Sequence, residues 1–341
     1  MNRQQKEFYK LFSEHGTGEA KVSITPQELL LLLFITTSDL SIPAPEAGSP
    51  VFAEISRKGF FHISHKDLDV LPEITADECF ESMEKCGITN INNMCFLYFK
   101  NLCDLFRRRV KYYHVLKNQP FPSAEQIAPR SLLEYGNCEN QLLADWLEWR
   151  KWIFDIDNRS AQETGYTFEP VLASCLGGEP RPSSNSPVKR IDDNGNVTTN
   201  GRQVDCYIEE LKEVYELKMR VTIAASGQGR FSEEMSFPYE AQQSGCIPIL
   251  VVFDGTDSDR LKDLKVQYQE CGGRVYIGEE AWKMLVEKAG DGMKVFVEKY
   301  IYPPISAMKG YLHSNPRDIT LTRQPDKIII KGENESYIIL R

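Results

Sequence analysis

Arg202–Gln203–Val204–Asp205–Cys206–Tyr207, followed by Glu213–Val214–Tyr215–Glu216–Leu217–Lys218–Met219, decides the reading of this chain. Both pieces alternate β-branched or aromatic residues with polar ones, the period of a strand. Glu216 and Lys218 are two apart, so their side chains leave the same face. The polar stretch Glu209–Glu210–Leu211–Lys212 predicts a hairpin turn that brings Asp205 beside Glu216. Two carboxylates and an ammonium on a sheet surface suit a hard divalent cation and a water, since magnesium takes oxygen ligands and keeps several waters. A cation held there can polarise a phosphodiester and activate a water. The spacing alone fits a solvated hairpin face with cross-strand charge pairs equally well. Glu210–Leu211–Lys212 repeats the Glu-x-Lys spacing inside the predicted turn, without an apolar strand around it, and is set aside.

The sequence on either side favours the site. Ile247–Pro248–Ile249–Leu250–Val251–Val252–Phe253–Asp254 is a continuous apolar run of the kind buried on both faces. Residues 257–272 have a charged helical period closed by Gly272–Gly273, Arg274–Gly278 is a short strand, and Glu279–Glu280–Ala281–Trp282 opens a helix with carboxylates at its positive end. Upstream, Gly165–Ala173 reads as a helix leading to the hairpin. Strands alternating with helices predict a parallel α/β sheet with right-handed crossovers, in the order helix, antiparallel hairpin, helix, strand, helix, strand.

These segments resemble the PD-(D/E)xK nuclease superfamily, and within it the ApaLI-like group of Type II restriction endonucleases. The resemblance runs through Asn158–Gly165 with Phe168–Glu169–Pro170, then Gly201–Cys206, then Tyr215–Arg230, and covers roughly residues 145–300. Val204 stands where the superfamily name has proline, a departure common in it. The Pro325–Asp326 pair has no Glu-x-Lys after it and is dismissed.

The resemblance implies a mixed central sheet flanked by helices, with Asp205 and Glu216 ligating Mg²⁺ (Mn²⁺ substituting) together with the backbone carbonyl of Leu217. Lys218 would position or deprotonate the attacking water and offset charge in the transition state. Glu169 matches an additional acidic residue used for a second metal or a metal-bound water; the plainer alternative is a helix carboxylate without chemistry. The resemblance further implies sequence-specific hydrolysis of double-stranded DNA leaving 5′-phosphate ends. It suggests a six-base palindrome such as GTGCAC, and a cognate DNA methyltransferase protecting the same site. A homodimer follows from the need to cut both strands of a two-fold site. A structure-specific repair nuclease and a catalytically idle DNA-binding protein are the alternatives on the same core.

Composition sets the outer limits. A chain of 341 residues accommodates two domains or one large core with a module. The longest apolar run, Leu29 to Ile35, is too short to span a membrane, which needs about 20 residues. Met1–Lys6 has no signal-peptide pattern, and the nine cysteines are scattered without any Cys-x-x-Cys; both fit a reducing cytoplasm. Cys206 reads as a small buried residue. No P-loop, His-Glu-x-x-His or Gly-x-Ser-x-Gly is present.

The net charge of −9 argues against an indiscriminate DNA coat but leaves room for one basic cleft. Lys100 to Lys117 holds Arg107, Arg108, Arg109 and Lys111 against Asp104 alone, interleaved with Tyr112, Tyr113 and His114. It reads either as a phosphate-contacting helix or as an ordinary basic face. Arg202 and Arg220, flanking the catalytic strands, join the expected DNA contacts. In the segment from Thr222 to Phe231, Gly227 and Gly229 permit close backbone approach. Gln228 and Arg230 there are residue types that pair with adenine and guanine edges; the alternative is a flexible connection touching only phosphate.

The expected organisation is a mainly helical region over 1–140, a nuclease core over 141–305, and a C-terminal β-hairpin over 306–341 turning at Gly332–Glu333–Asn334. Pro43 to Pro50 and Pro120–Phe121–Pro122 break the helices, Trp146, Trp149 and Trp152 form an aromatic stripe that reads as core, and 179–200 reads as a long loop with a tight turn.

Overall fold

Threonine, proline and glutamate start the first long apolar helix. Thr25 Oγ1 accepts from the Glu28 amide at 3.3 Å, the Glu28 carboxylate accepts from the Thr25 amide at 2.8 Å, and Pro26 occupies the first turn. The helix Pro26–Asp39 then runs with Leu29 through Thr37 all buried, as expected of a helix apolar on every side. Ala76–Lys85 begins with the same device, Thr75 and Glu78, and Arg3–Ser13 is a third helix of this region. Asp39 accepts from the Tyr98 hydroxyl at 2.9 Å and also from Tyr300 and Lys299.

The computed structural model describes residues 1–15, 22–46, 49–91, 93–118, 139–153, 168–192, 194–219, 228–255, 258–308, 320–331 and 336–340. The chain forms two compact units, Met1–Asp104 with Cys175–Gly177 and Trp282–Arg341, and Leu105–Ser174 with Gly178–Ala281. No helix among the described residues is long and apolar enough to cross a membrane. The Pro120–Phe121–Pro122 break and the start of the Gly165–Ala173 helix lie outside the described residues, as do the side chains of Trp149 and Trp152.

In the first unit β1 (Glu14–His15) pairs with β2 (Val22–Ser23). The second unit holds β3 (Glu179–Arg181), β4 (Lys189–Ile191), β5 (Val197–Gly201), β6 (Val204–Ile208), β7 (Glu213–Lys218), β8 (Ile247–Val252) and β9 (Arg274–Ile277). Five of these make one mixed sheet in the order β3-β6-β7-β8-β9, with β3, β6 and β7 antiparallel and β7, β8 and β9 parallel. β8 is buried from Pro248 to Val252, as its apolar run requires. The sheet face bearing Val214, Leu250 and Val252 packs with Phe237 and Ala241 of the helix Gln228–Gln243 and with Leu261, Leu264 and Tyr268 of the helix Asp259–Glu270. Near β6 lies the helix 168–176, where the Cys206 thiol points at the Ala173 carbonyl 3.9 Å away.

Two expectations need correction. Residues 179–200 hold β3, a 3-10 turn and the β4–β5 hairpin rather than a plain loop. Those strands are too short to show a period, and partners far along the chain hold them: the Lys189 amide donates to Ser244 Oγ at 2.9 Å, and the Ile191 amide to Glu240 Oε1 at 3.4 Å. The C-terminal segment is not a single hairpin but three antiparallel strands, β10 (Thr320–Gln324), β11 (Lys327–Lys331) and β12 (Ser336–Leu340). Pro325–Asp326 supplies the additional turn.

Candidate active site

The β6–β7 turn determines what faces what. A 3-10 turn, Glu209–Leu211, ends at Lys212 in the left-handed region (φ 53°), which reverses the chain in the fewest residues. Cys206 then pairs with Tyr215 and Tyr207 with Val214, and the next step of that register sets Asp205 opposite Glu216. Glu210 and Lys212 are exposed in the turn, away from any strand face.

Asp205 is 9% exposed, and its Oδ2 accepts from the Leu217 amide at 2.9 Å. A strand sends the N–H and C=O of one residue to the same edge, so the Leu217 carbonyl leaves on the Asp205 side. Lys218 Nζ donates to Glu216 Oε1 at 2.7 Å and lies 3.4 Å from Glu234 Oε1 of the Gln228–Gln243 helix. Glu169, half-buried on the helix 168–176, lies near enough to Glu216 and Asp205 to act on both electrostatically. Lys218 ends β7, so the cluster sits at the carboxyl end of two parallel strands, where open α/β sheets bind ligands.

The electrostatics are those of carboxylates crowded in a poorly hydrated place. Burial, then Glu216 and Glu169, pushes the Asp205 carboxyl well above the usual range. Burial and Glu216 raise Glu169, and burial raises Glu234. Burial disfavours the Lys218 ammonium, but Glu216, Glu234 and Asp205 outweigh it and raise the group above an ordinary lysine. Among the described residues the Lys218 ammonium thus faces four carboxylates, with Arg202 also acting on Glu234. Glu234 Oε2 is moreover buried with no hydrogen-bond partner among the described residues.

That surplus of negative oxygen fits a divalent cation. The donors on offer are the Asp205 and Glu216 carboxylates and the Leu217 carbonyl, hard oxygens suited to magnesium, which commonly takes one or two protein carboxylates and fills the rest with water and substrate. Among the described residues, no three Asp, Glu, His or Cys side chains form a ready metal cage.

Asp205, Glu216, Lys218 and Glu169 are thus brought together, and Glu234 is a fifth member that the sequence reading missed. A signal for it existed: Glu234 lies three residues before Phe237 and seven before Ala241, both buried, so helical spacing puts a carboxylate on the apolar face.

The expected DNA contacts fare differently. Arg202 is occupied inside the protein: its guanidinium pairs with Glu240 at 2.8 Å, donates to Ser236 Oγ at 3.0 Å and to the Glu233 carbonyl, and lies 5.3 Å from the Phe237 ring centroid. Arg107 is 6% exposed. Direct contact with DNA does not fit either placement. Arg108 stacks on Tyr112 (4.5 Å) and Phe168 (5.8 Å), and Arg109 lies 6.0 Å from the Phe106 centroid. Arg109 and Lys111 are partly exposed on the helix Met94–Asn118. Arg220 lies outside the described residues; Gln228 and Arg230 open the Gln228–Gln243 helix, and their side chains lie outside the described part.

Comparison with known proteins agrees with the sequence resemblance. The model of the ApaLI-like restriction endonuclease family matches residues 63–302. A curated relative, the Type II restriction enzyme ApaLI of Acetobacter pasteurianus, is 46% identical over 227 residues, which is 65% of this chain and 60% of the relative. No solved structure matches the chain.

Proposed function

The chain belongs to the ApaLI-like restriction endonuclease family, and from that premise we propose that it is a Type II restriction endonuclease that hydrolyses double-stranded DNA at a specific site. The observation that carries the reading is the meeting of Asp205, Glu216 and Lys218 at one strand end, tied by the Leu217 amide. The core is read as a PD-(D/E)xK nuclease over 141–305, with 1–140 as a DNA-contacting or dimerisation module.

In this reading Asp205, Glu216 and the Leu217 carbonyl hold Mg²⁺, with Glu169 close by as an additional acidic group. A divalent cation bound there supplies Lewis-acid polarisation of the phosphodiester and lowers the pKa of a water. Lys218 holds the attacking water in line and offsets the negative charge that grows on the phosphate oxygens. The leaving group is the 3′-oxygen, so the ends carry 5′-phosphate and 3′-hydroxyl. Gln228, Arg230 and Arg220 are assigned to base edges or nearby phosphates, and Arg109 and Lys111 to the backbone. Two copies cut the two strands of a palindrome, and a methyltransferase of the same specificity protects the host from cutting in its cytoplasm.

Digestion of DNA of known sequence, including GTGCAC sites, tests this with Mg²⁺ present. Discrete fragments that map to one short palindrome support the reading. Smears, flap-only cutting, or binding without cutting reject it in favour of a repair nuclease or an idle DNA-binding protein.

A further inference from the structure

Lys218 stands between two carboxylates from different elements. Its Nζ lies 2.7 Å from Glu216 Oε1 on its own strand and 3.4 Å from Glu234 Oε1 on the Gln228–Gln243 helix. An ammonium has three donors, and among the described residues these two contacts engage two of them. The Glu234 side chain is 18% exposed, and its second oxygen is buried without a hydrogen bond among the described residues. Folded proteins rarely leave a carboxylate oxygen so, because the lost hydration goes unreplaced. The neighbouring Glu233 shows the ordinary case, a side chain 57% exposed and paired with Arg190 at 3.5 Å.

This placement matters once a divalent cation engages Glu216, as in the function proposed above, on which this inference rests. Cation and ammonium then share one carboxylate and repel each other across it. Lys218 has a flexible four-carbon stem, and Glu216 alone would no longer hold it. Glu234 offers a second negative charge from a separate helix. We propose that Glu234 is a positioning residue that retains Lys218 beside the reacting phosphate when Glu216 is occupied by metal.

The test is single-turnover cleavage, with enzyme in excess and Mg²⁺ saturating, by wild type, Glu234→Gln, Glu233→Gln, Lys218→Met and the double variant Glu234→Gln/Lys218→Met. Misplacing a reacting group by about 1 Å costs about 100-fold, and a loss of that order is expected in Glu234→Gln, with Glu233→Gln cutting as wild type. In the Lys218→Met background Glu234→Gln is expected to add nothing, since the group it positions is gone. A second readout needs no turnover: calorimetric titration of the DNA-free protein with Mn²⁺ keeps its wild-type affinity in Glu234→Gln. Circular dichroism checks the fold of each variant, and alanine replaces glutamine at the same position in any glutamine variant that fails to fold. Wild-type cleavage by Glu234→Gln, losses that multiply in the double variant, or abolished Mn²⁺ binding would each overturn the inference. Wild-type protein that cuts no duplex overturns the proposed function instead, which separates the two failures.

Discussion

The Leu217 amide donates to Asp205 Oδ2 at 2.9 Å, so the backbone between Glu216 and Lys218 is tied to the carboxylate facing them across the hairpin. One hydrogen bond thereby couples the relative positions of all three groups. It also compensates only part of the cost of burying Asp205, which Glu216 and Glu169 further repel.

Asp205→Asn is therefore expected to stabilise the metal-free protein. The amide oxygen still accepts from Leu217, while the repulsion is gone; replacements of this kind at strained functional sites commonly give about 0.5–2 kcal/mol. The folded carboxyl is raised above its unfolded value, so it destabilises nothing at pH values below both. The cost grows as pH rises through the unfolded value of about 4 and levels off above the folded one. Thermal melts in EDTA should show a gain in Tm that widens across that window. A lower Tm for the variant at neutral pH contradicts this picture of the site.

Metal removal gives a second expectation. Cleavage should stop in EDTA and return with Mg²⁺ or Mn²⁺, whereas Ca²⁺ should support DNA binding without cutting, because its looser coordination positions water poorly. Cutting that continues in EDTA contradicts the carboxylate mechanism.

Two arginines close in sequence to the site should behave differently. Arg230→Ala is expected to lose about 1–3 kcal/mol of binding to the cognate duplex and much less to scrambled DNA, if it reads a base edge. Equal weakening of both duplexes in Ca²⁺ rejects that role. Arg202→Ala leaves Glu240, 6% exposed, without its countercharge; breaking such a pair costs about 3–5 kcal/mol. Urea denaturation should show it as a loss of stability, and a fully stable variant contradicts the packing role.

The parts of this architecture legible beforehand are those with a local physical signature. β8 is buried from Pro248 to Val252, so its apolar run stands out. The β6–β7 hairpin shows as two alternating strands around a polar turn, and Asp205 faces Glu216 by register alone. Other features depend on distant partners. β4 rests on Ser244 and Glu240, about fifty residues on, and nothing in its three residues announces them. Arg202 looks like any exposed arginine until Glu240 and Phe237 enclose it. Glu233 and Glu234 are the same residue type side by side, and only the helical phase separates the inward one from the outward one.

The central claim is that Asp205, Glu216 and Lys218 form a metal-dependent site that cuts DNA at one sequence. The most direct measurement is digestion of plasmid DNA of known sequence in Mg²⁺ by wild type, Asp205→Ala, Glu216→Ala, Lys218→Ala and Glu210→Ala, with fold and Ca²⁺-dependent DNA binding checked for each. Discrete fragments are expected from wild type and Glu210→Ala, and a rate loss of roughly 1000-fold or more in the other three, each of which acts on transition-state charge rather than on packing. Wild-type cleavage by Glu216→Ala, or loss of cleavage in Glu210→Ala alone, would contradict it.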